Sequence, residues 1–158
     1  MKFPTPLLKG KLVQRYKRFM ADIVLDNGEK ITAHCANSGS MMGVSGSGAD
    51  VWVSRADNPK RKLRYTWELI KVGTSLVGIN TSLSNKIAQE SIETGVVAEL
   101  QGYASLRREV KYGENSRIDI LLEDPAKMSC YVEIKNVTLR RDQLAEFPDS
   151  VTTRGAKH

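Results

Sequence analysis

From residue 9 to residue 81, apolar and polar side chains alternate in short runs broken by Gly, Asn, Asp and Pro. The runs are KGKLVQRY, RFMADIVLDNGEKITAHCAN, ADVWVSRAD, KLRYTWELIKV and SLVGINT. A period of two marks strands that bury one face, so these runs predict about five strands. Asn27-Gly28, inside the second run, predicts a type I′ hairpin turn, because both residues tolerate positive φ. Five short antiparallel strands in this span predict an OB-fold-like β-barrel over residues 1–80. NSGSMMGVSGSG, residues 37–48, is too rich in Gly and Ser for an element interior. It reads as a flexible loop, or as a place where backbone approaches a ligand closely.

From Asn80 the period changes. NTSLSNKIAQESIETGVVAEL predicts a helix with Thr81 or Ser82 as cap and Gly95 as terminator. Leu83, Ile87 and Glu90 fall at helical spacing, which sets Glu90 at the edge of an apolar stripe and Glu93 on the polar face. Two further strands, RIDILL and YVEIKNV, follow. In the first, Arg117, Asp119 and Leu121 share one face. In the second, Tyr131, Glu133, Lys135 and Val137 do. Residues 81–158 are therefore expected to form a second domain, and the whole chain an α+β or α/β arrangement.

Charge separates the two parts. Residues 1–80 carry 13 Lys+Arg against 6 Asp+Glu, and residues 81–158 carry 11 against 12, so the halves are +7 and −1 and sum to the net +6. A basic excess confined to one half suggests a surface for a polyanion, with solvated surface charge as the plainer alternative. Arg15, Lys17 and Arg18 lie among Tyr16 and Phe19, and Lys60, Arg61, Lys62 and Arg64 precede Tyr65 and Trp67. Cations that follow phosphates beside rings that stack on bases are what a nucleic-acid channel needs. Alternation along a strand keeps the rings from all facing one way, so most of them are expected in the core. No apolar run approaches a membrane span, and MKFPTPLLKGK lacks the apolar stretch of a signal peptide, so a cytoplasmic protein without a membrane partner is expected. Cys35 and Cys130 form no paired motif and are expected as reduced, packed thiols.

Asp119, Glu133 and Lys135 carry the other candidate chemistry. Two carboxylates from adjacent strands supply the hard oxygen ligands that Mg²⁺ or Mn²⁺ prefers, and a lysine on the same face can offset charge on a phosphate under attack. Such a set suits phosphodiester hydrolysis. The E-x-K pattern alone arises by chance about 0.6 times in a chain this long, and a salt-bridged structural pair is its plain alternative.

YKRFMADI, HCANSGSM, RYTWELI, GYASLRREVKYGENSRIDILL, CYVEIKNVTL and FPDSVTTRGAKH together resemble, in order, the successive signatures of the bacterial and archaeal sugar fermentation stimulation protein A family. The resemblance implies an N-terminal OB-fold domain, a C-terminal PD-(D/E)XK nuclease-like domain, non-specific DNA binding and a part in regulating maltose metabolism. Matched onto that motif, Asp119 and Glu133 are the acidic metal ligands, Lys135 is the lysine and Glu90 is a helix-borne third carboxylate. Ile118 stands where the motif has proline. The family pattern runs on past His158, so the C-terminal part of the second domain is expected to be missing. In the full pattern Arg154, Lys157 and His158 are candidate phosphate contacts. Two alternatives to simple DNA binding accompany this reading: a Mg²⁺-dependent DNase, and an OB-fold interaction module that takes no nucleic acid.

Overall fold

A computed structural model gives the fold, and it describes residues 1–113 and 116–147. Arg154, Lys157 and His158 lie outside the described residues. The chain divides into two compact units, one of Lys2–Ser82 with the described residues that follow Asn136, the other of Met1 with Leu83–Asn136.

The alternating runs of the first unit become β1 (Leu8–Tyr16), β2 (Met20–Leu25), β3 (Lys30–His34), β4 (Asp50–Arg55), β5 (Tyr65–Val72) and β6 (Ser75–Gly78). They order as β3-β2-β1-β4-β5-β6, and β3 pairs a second time, in parallel, with β5. That second pairing closes β1 to β5 into an OB-fold barrel. There is one strand more than the five expected, because the second run divides at its turn into β2 and β3; β6, from the SLVGINT run, lies outside the ring, paired with β5. Leu12, Ala21, Ile23, Val51, Val53, Trp67 and Ile70 point inward and are almost wholly buried. The Trp67 indole satisfies its one donor on the Leu69 carbonyl at 2.9 Å.

Two local expectations change. Asn27-Gly28 is not a type I′ turn, since Gly28 alone has positive φ, 86°. Gly28 N donates to Leu25 O at 2.8 Å, and the Asn27 side chain accepts from Glu29 N, which makes a longer loop with one left-handed residue. The left-handed pair sits instead in the β1–β2 turn, at Lys17 (48°) and Arg18 (63°). The Gly/Ser-rich loop does not lie wholly in solvent. Met41 and Val44 are 0% and 3% exposed and fill the barrel interior. Gly48 N donates to Leu12 O and Leu12 N to Ala49 O, so the loop returns onto β1. Its glycines supply left-handed turns that let two apolar side chains drop into the core.

Glu68 is the buried carboxylate of the barrel, 5% exposed. Ser54 Oγ donates to it at 2.6 Å and Asn80 Nδ2 at 2.8 Å. The Asn80 side chain in turn accepts from Ser82 N. This network ties β4 and β5 to the end of the barrel sequence.

The second unit holds α1 (Ser84–Glu93), β7 (Ser105–Tyr112), β8 (Ser116–Asp124) and β9 (Lys127–Val132). The three strands form an antiparallel sheet with β8 in the middle. A short hairpin, β10 (Leu139–Arg141) with β11 (Leu144–Glu146), belongs to the segment after Val137. Gly95, φ 78°, follows the helix end as expected. Leu83, not Thr81 or Ser82, occupies the cap position and makes no side-chain cap bond. The buried stripe is Ala88 and Ile92, packed with Ile120 and Leu122, while Ile87 is 45% exposed. Leu83 and Ile87 therefore do not define the inward face, because the stripe runs one position further along the helix. No helix among the described residues is long and apolar enough to cross a membrane.

Gly10 of β1 pairs with Leu25 of β2. A Cβ there would meet Val24 O at 2.5 Å and the Leu25 Cα at 2.9 Å. Both are backbone atoms, which no rotamer change can move. Gly10→Ala is predicted to destabilise the barrel by about 1–3 kcal/mol, read as a lower urea midpoint with an unchanged slope.

Candidate functional site

The two basic stretches, far apart in sequence, become the β1–β2 loop (17–19) and the β4–β5 loop (56–64). Met20 pairs with His34, and His34 pairs with Thr66. Two strand spacings, about 10 Å, thus separate the end of one loop from the end of the other, and both rise from one rim. Lys17, Lys60, Lys62 and Arg64 are exposed there, with Arg61 half-buried. None of these five has an ion pair among the described residues.

Arg15 and Arg18 do something different. Arg15 Nη2 donates to the carbonyls of Arg18, Asn37 and Gly39 at 2.9–3.0 Å. Arg18 donates from Nε and Nη2 to Ser38 O. Both guanidinium groups hold the 37–39 segment against the β1–β2 turn, a task for a planar fork of donors. Of the rings, Trp67 is core, and the Tyr65 hydroxyl donates to Glu29 at 3.3 Å. Phe19 alone of the four is well exposed, at 49%. An open cleft of about 410 Å³ adjoins the β4–β5 loop, lined by Thr5, Pro6, Leu8, Arg55, Asp57 and Arg64 among others. Arg55 was not singled out from sequence, since it stands alone at a strand end.

In the second unit β8 brings the acidic residues together. Arg108 pairs with Ile120 and Val110 with Ile118, so Glu109 lies across from Asp119. Ile120 pairs with Val132 on the other side. Continuing that register sets Glu133 across from Asp119, and residues in one row across a sheet point to the same face. The strand ends at Val132, however, so Glu133 and Lys135 lie in the extended segment beyond β9 and not within it. The ladder stops because Asp119 intervenes: its Oδ2 accepts from Ile134 N at 2.7 Å, where a backbone carbonyl would otherwise serve. Alternation persists past the ladder, with Glu133 and Lys135 exposed and Ile134 and Asn136 half-buried.

Asp119 Oδ1 accepts from Asn85 Nδ2 at 3.0 Å, and the same nitrogen donates to Glu109 Oε1 at 3.0 Å. Glu133 is ion-paired with Lys135. Glu90 does not join this row; its carboxylate meets the Met1 amino group at 2.5 Å. Among the described residues no three His, Cys, Asp or Glu side chains converge as a metal cage. The carboxylate donors of Asp119 and Glu133 nonetheless suit a hard divalent cation that keeps several waters. Asn85 and Glu109 were missed from sequence. Only the strand pairing of residues 105–112 could have disclosed Glu109, and only the packing of α1 against β8 could have disclosed Asn85.

An OB-fold barrel with a cationic rim, followed by a helix and a small sheet bearing a row of acids, makes up a two-part protein. Residues 13–79 match the family described as SfsA N-terminal OB domain, and residues 82–158 match the Sugar fermentation stimulation protein RE domain. The chain belongs to the sugar fermentation stimulation protein family. It is 59% identical to the sugar fermentation stimulation protein homolog of Maricaulis maris and 57% identical to that of Rhodospirillum rubrum. Each alignment covers all of this chain, and 68% and 69% of the respective relative. A solved structure described as Pyrococcus furiosus SfsA in complex with Ca²⁺ superposes with a TM-score of 0.84 at 26% identity. This chain spans 66% of that one.

The outer face of β1 to β3 carries one further polar centre. The Asp22 carboxylate accepts from Gln14 Nε2 at 2.9 Å, from Thr32 Oγ1 at 2.8 Å and from the Tyr16 hydroxyl at 3.2 Å. The Gln14 bond foremost, aided by Thr32 and Tyr16, holds the Asp22 carboxyl below its usual value against the opposing effect of burial. A carboxyl depressed in the folded state contributes stability above its unfolded pKa and loses it as pH falls through the folded value. Urea unfolding below about pH 4 is therefore predicted to show a steeper acid loss in the native chain than in Asp22→Asn.

Proposed function

We propose that the barrel binds DNA without sequence preference, using the rim where the β1–β2 and β4–β5 loops meet. The observation that carries this is the register Met20–His34–Thr66, which gathers Lys17, Lys60, Arg61, Lys62 and Arg64 on one edge of a closed barrel. OB-folds bind oligonucleotides with the same two loops. Arg15 and Arg18, which the sequence pattern ranks with the binding cations, support the rim by holding its backbone. A part in regulating sugar metabolism would act through such binding, and the family's naming is what supports it. The expected behaviour is an affinity that falls steeply with salt, with each of Lys17→Ala, Lys60→Ala and Lys62→Ala lowering the salt slope by about 1. Fluorescence anisotropy with single- and double-stranded oligonucleotides measures it. A salt-independent affinity, or one unmoved by Lys60→Glu with Lys62→Glu, would favour an interaction module that takes no nucleic acid.

A second reading rests on the row of acids and on the Ca²⁺ held by the Pyrococcus relative. Asp119 and Glu133 would hold Mg²⁺ or Mn²⁺, and the Lys135 ammonium beside Glu133 would offset charge on a phosphate. When bound, such a cation lowers the pKa of a coordinated water and offsets charge on a phosphodiester. The chain's own contribution is to orient Asp119 through Asn85 and Ile134 N and to keep an ammonium beside Glu133. Asp119→Ala and Lys135→Ala are predicted to lower DNA cleavage at least about 100-fold while leaving DNA affinity unchanged. Absence of cleavage by the intact chain over a range of metals and substrates would remove this reading and leave the first.

A further inference from the structure

Asn85 stands in the first turn of α1, outside every recognised motif. Its Nδ2 has two hydrogens, and each goes to a carboxylate from a different strand, Glu109 on β7 and Asp119 on β8. Two carboxylates this close repel each other when nothing lies between them. One amide nitrogen donating to both removes the reason to turn apart. Glu109 also has φ of 52° within a strand, a conformation that residues other than glycine seldom adopt. The neighbouring Ser84 donates to Asn136 Oδ1 at 3.2 Å. The start of α1 thus grips Asp119 and also the segment that carries Glu133 and Lys135.

We propose that Asn85 is the positioning residue of the acidic centre, setting the orientation of Asp119 for a divalent cation and holding Glu109 beside it. The proposal rests on Asp119 and Glu133 being cation ligands. Asn85 touches no reacting atom in this role and acts through Asp119, whose second oxygen is fixed by Ile134 N. Asparagine suits the task because it is uncharged and its one nitrogen reaches two acceptors. Aspartate would add a third negative charge, and serine would reach one acceptor only.

Calorimetric titration of the 158-residue chain with Ca²⁺ and with Mg²⁺ tests it, beside thermal melts in EDTA. Asn85→Ala is expected to weaken cation binding by about 10–100-fold while its melt in EDTA stays close to that of the native chain. Asn85→Gln, with the same amide on a longer arm, is expected to recover part of the affinity. Native affinity in a folded Asn85→Ala chain would overturn the proposal. So would an Asn85→Gln chain that melts like the native one yet binds no better than Asn85→Ala; should Asn85→Ala fail to fold, Asn85→Gln decides against the native affinity. A native chain that takes up neither cation overturns the metal reading, and this proposal with it. Native uptake that is lost in Asp119→Asn but kept in Asn85→Ala overturns the proposal alone.

Discussion

The parallel pairing of β3 with β5, at Ala33–Tyr65 and His34–Thr66, is the contact on which the barrel depends. It is only two residues long, yet it turns an open sheet with two bare edges into a ring. Everything inward then follows. Trp67 and Ile70 from β5 meet Leu12 and Ile23 from the other side of the ring, and Met41 with Val44 fills the interior from the loop. The closure also sets the rim, since the same two residues of β3 lie between the ends of the loops that bear the cations.

Closure at so short a ladder needs its approaches held. Arg15 and Arg18 bond the carbonyls of residues 37–39, which begin three positions after the end of β3. Two left-handed non-glycine residues, Lys17 and Arg18, sit in that turn. Such backbone costs on the order of 1–3 kcal/mol per residue, and the charged hydrogen bonds to Ser38, Asn37 and Gly39 offset it. Within one basic, aromatic-flanked stretch the side-chain contacts therefore differ. Arg15 and Arg18 hold structure, while Lys17 remains exposed on the rim.

Asp119 plays the corresponding part in the second unit. It sits on the central strand, between Glu109 and Glu133, and replaces a ladder hydrogen bond with its own side chain. That substitution ends β9 at Val132 and frees the segment carrying Glu133 and Lys135 from the sheet, while keeping it within one hydrogen bond of the acid. The helix contributes through Asn85 and Ser84, not through Glu90, whose carboxylate meets the Met1 amino group. Spacing along α1 gave no means of telling these apart, because Asn85 and Glu90 differ in the partner each finds and not in any periodic property.

The alternation of apolar residues was enough to read the barrel strands and the OB-fold from sequence, because burial of one strand face leaves a period of two in the chain. Gly95 as a helix stop was legible for a similarly local reason, as glycine takes positive φ without a Cβ clash. The family likeness of the ordered blocks was legible too. Tertiary structure decided the remainder. Whether Asn27-Gly28 forms a type I′ turn, whether a Gly/Ser-rich loop stays in solvent or plugs a core, and which face of α1 turns inward depend on partners remote in sequence. The acidic row is the clearest case: Glu109, Asp119 and Glu133 are joined by strand register, and Asn85 by a helix start. Register is a property of pairs of segments, which no single segment encodes.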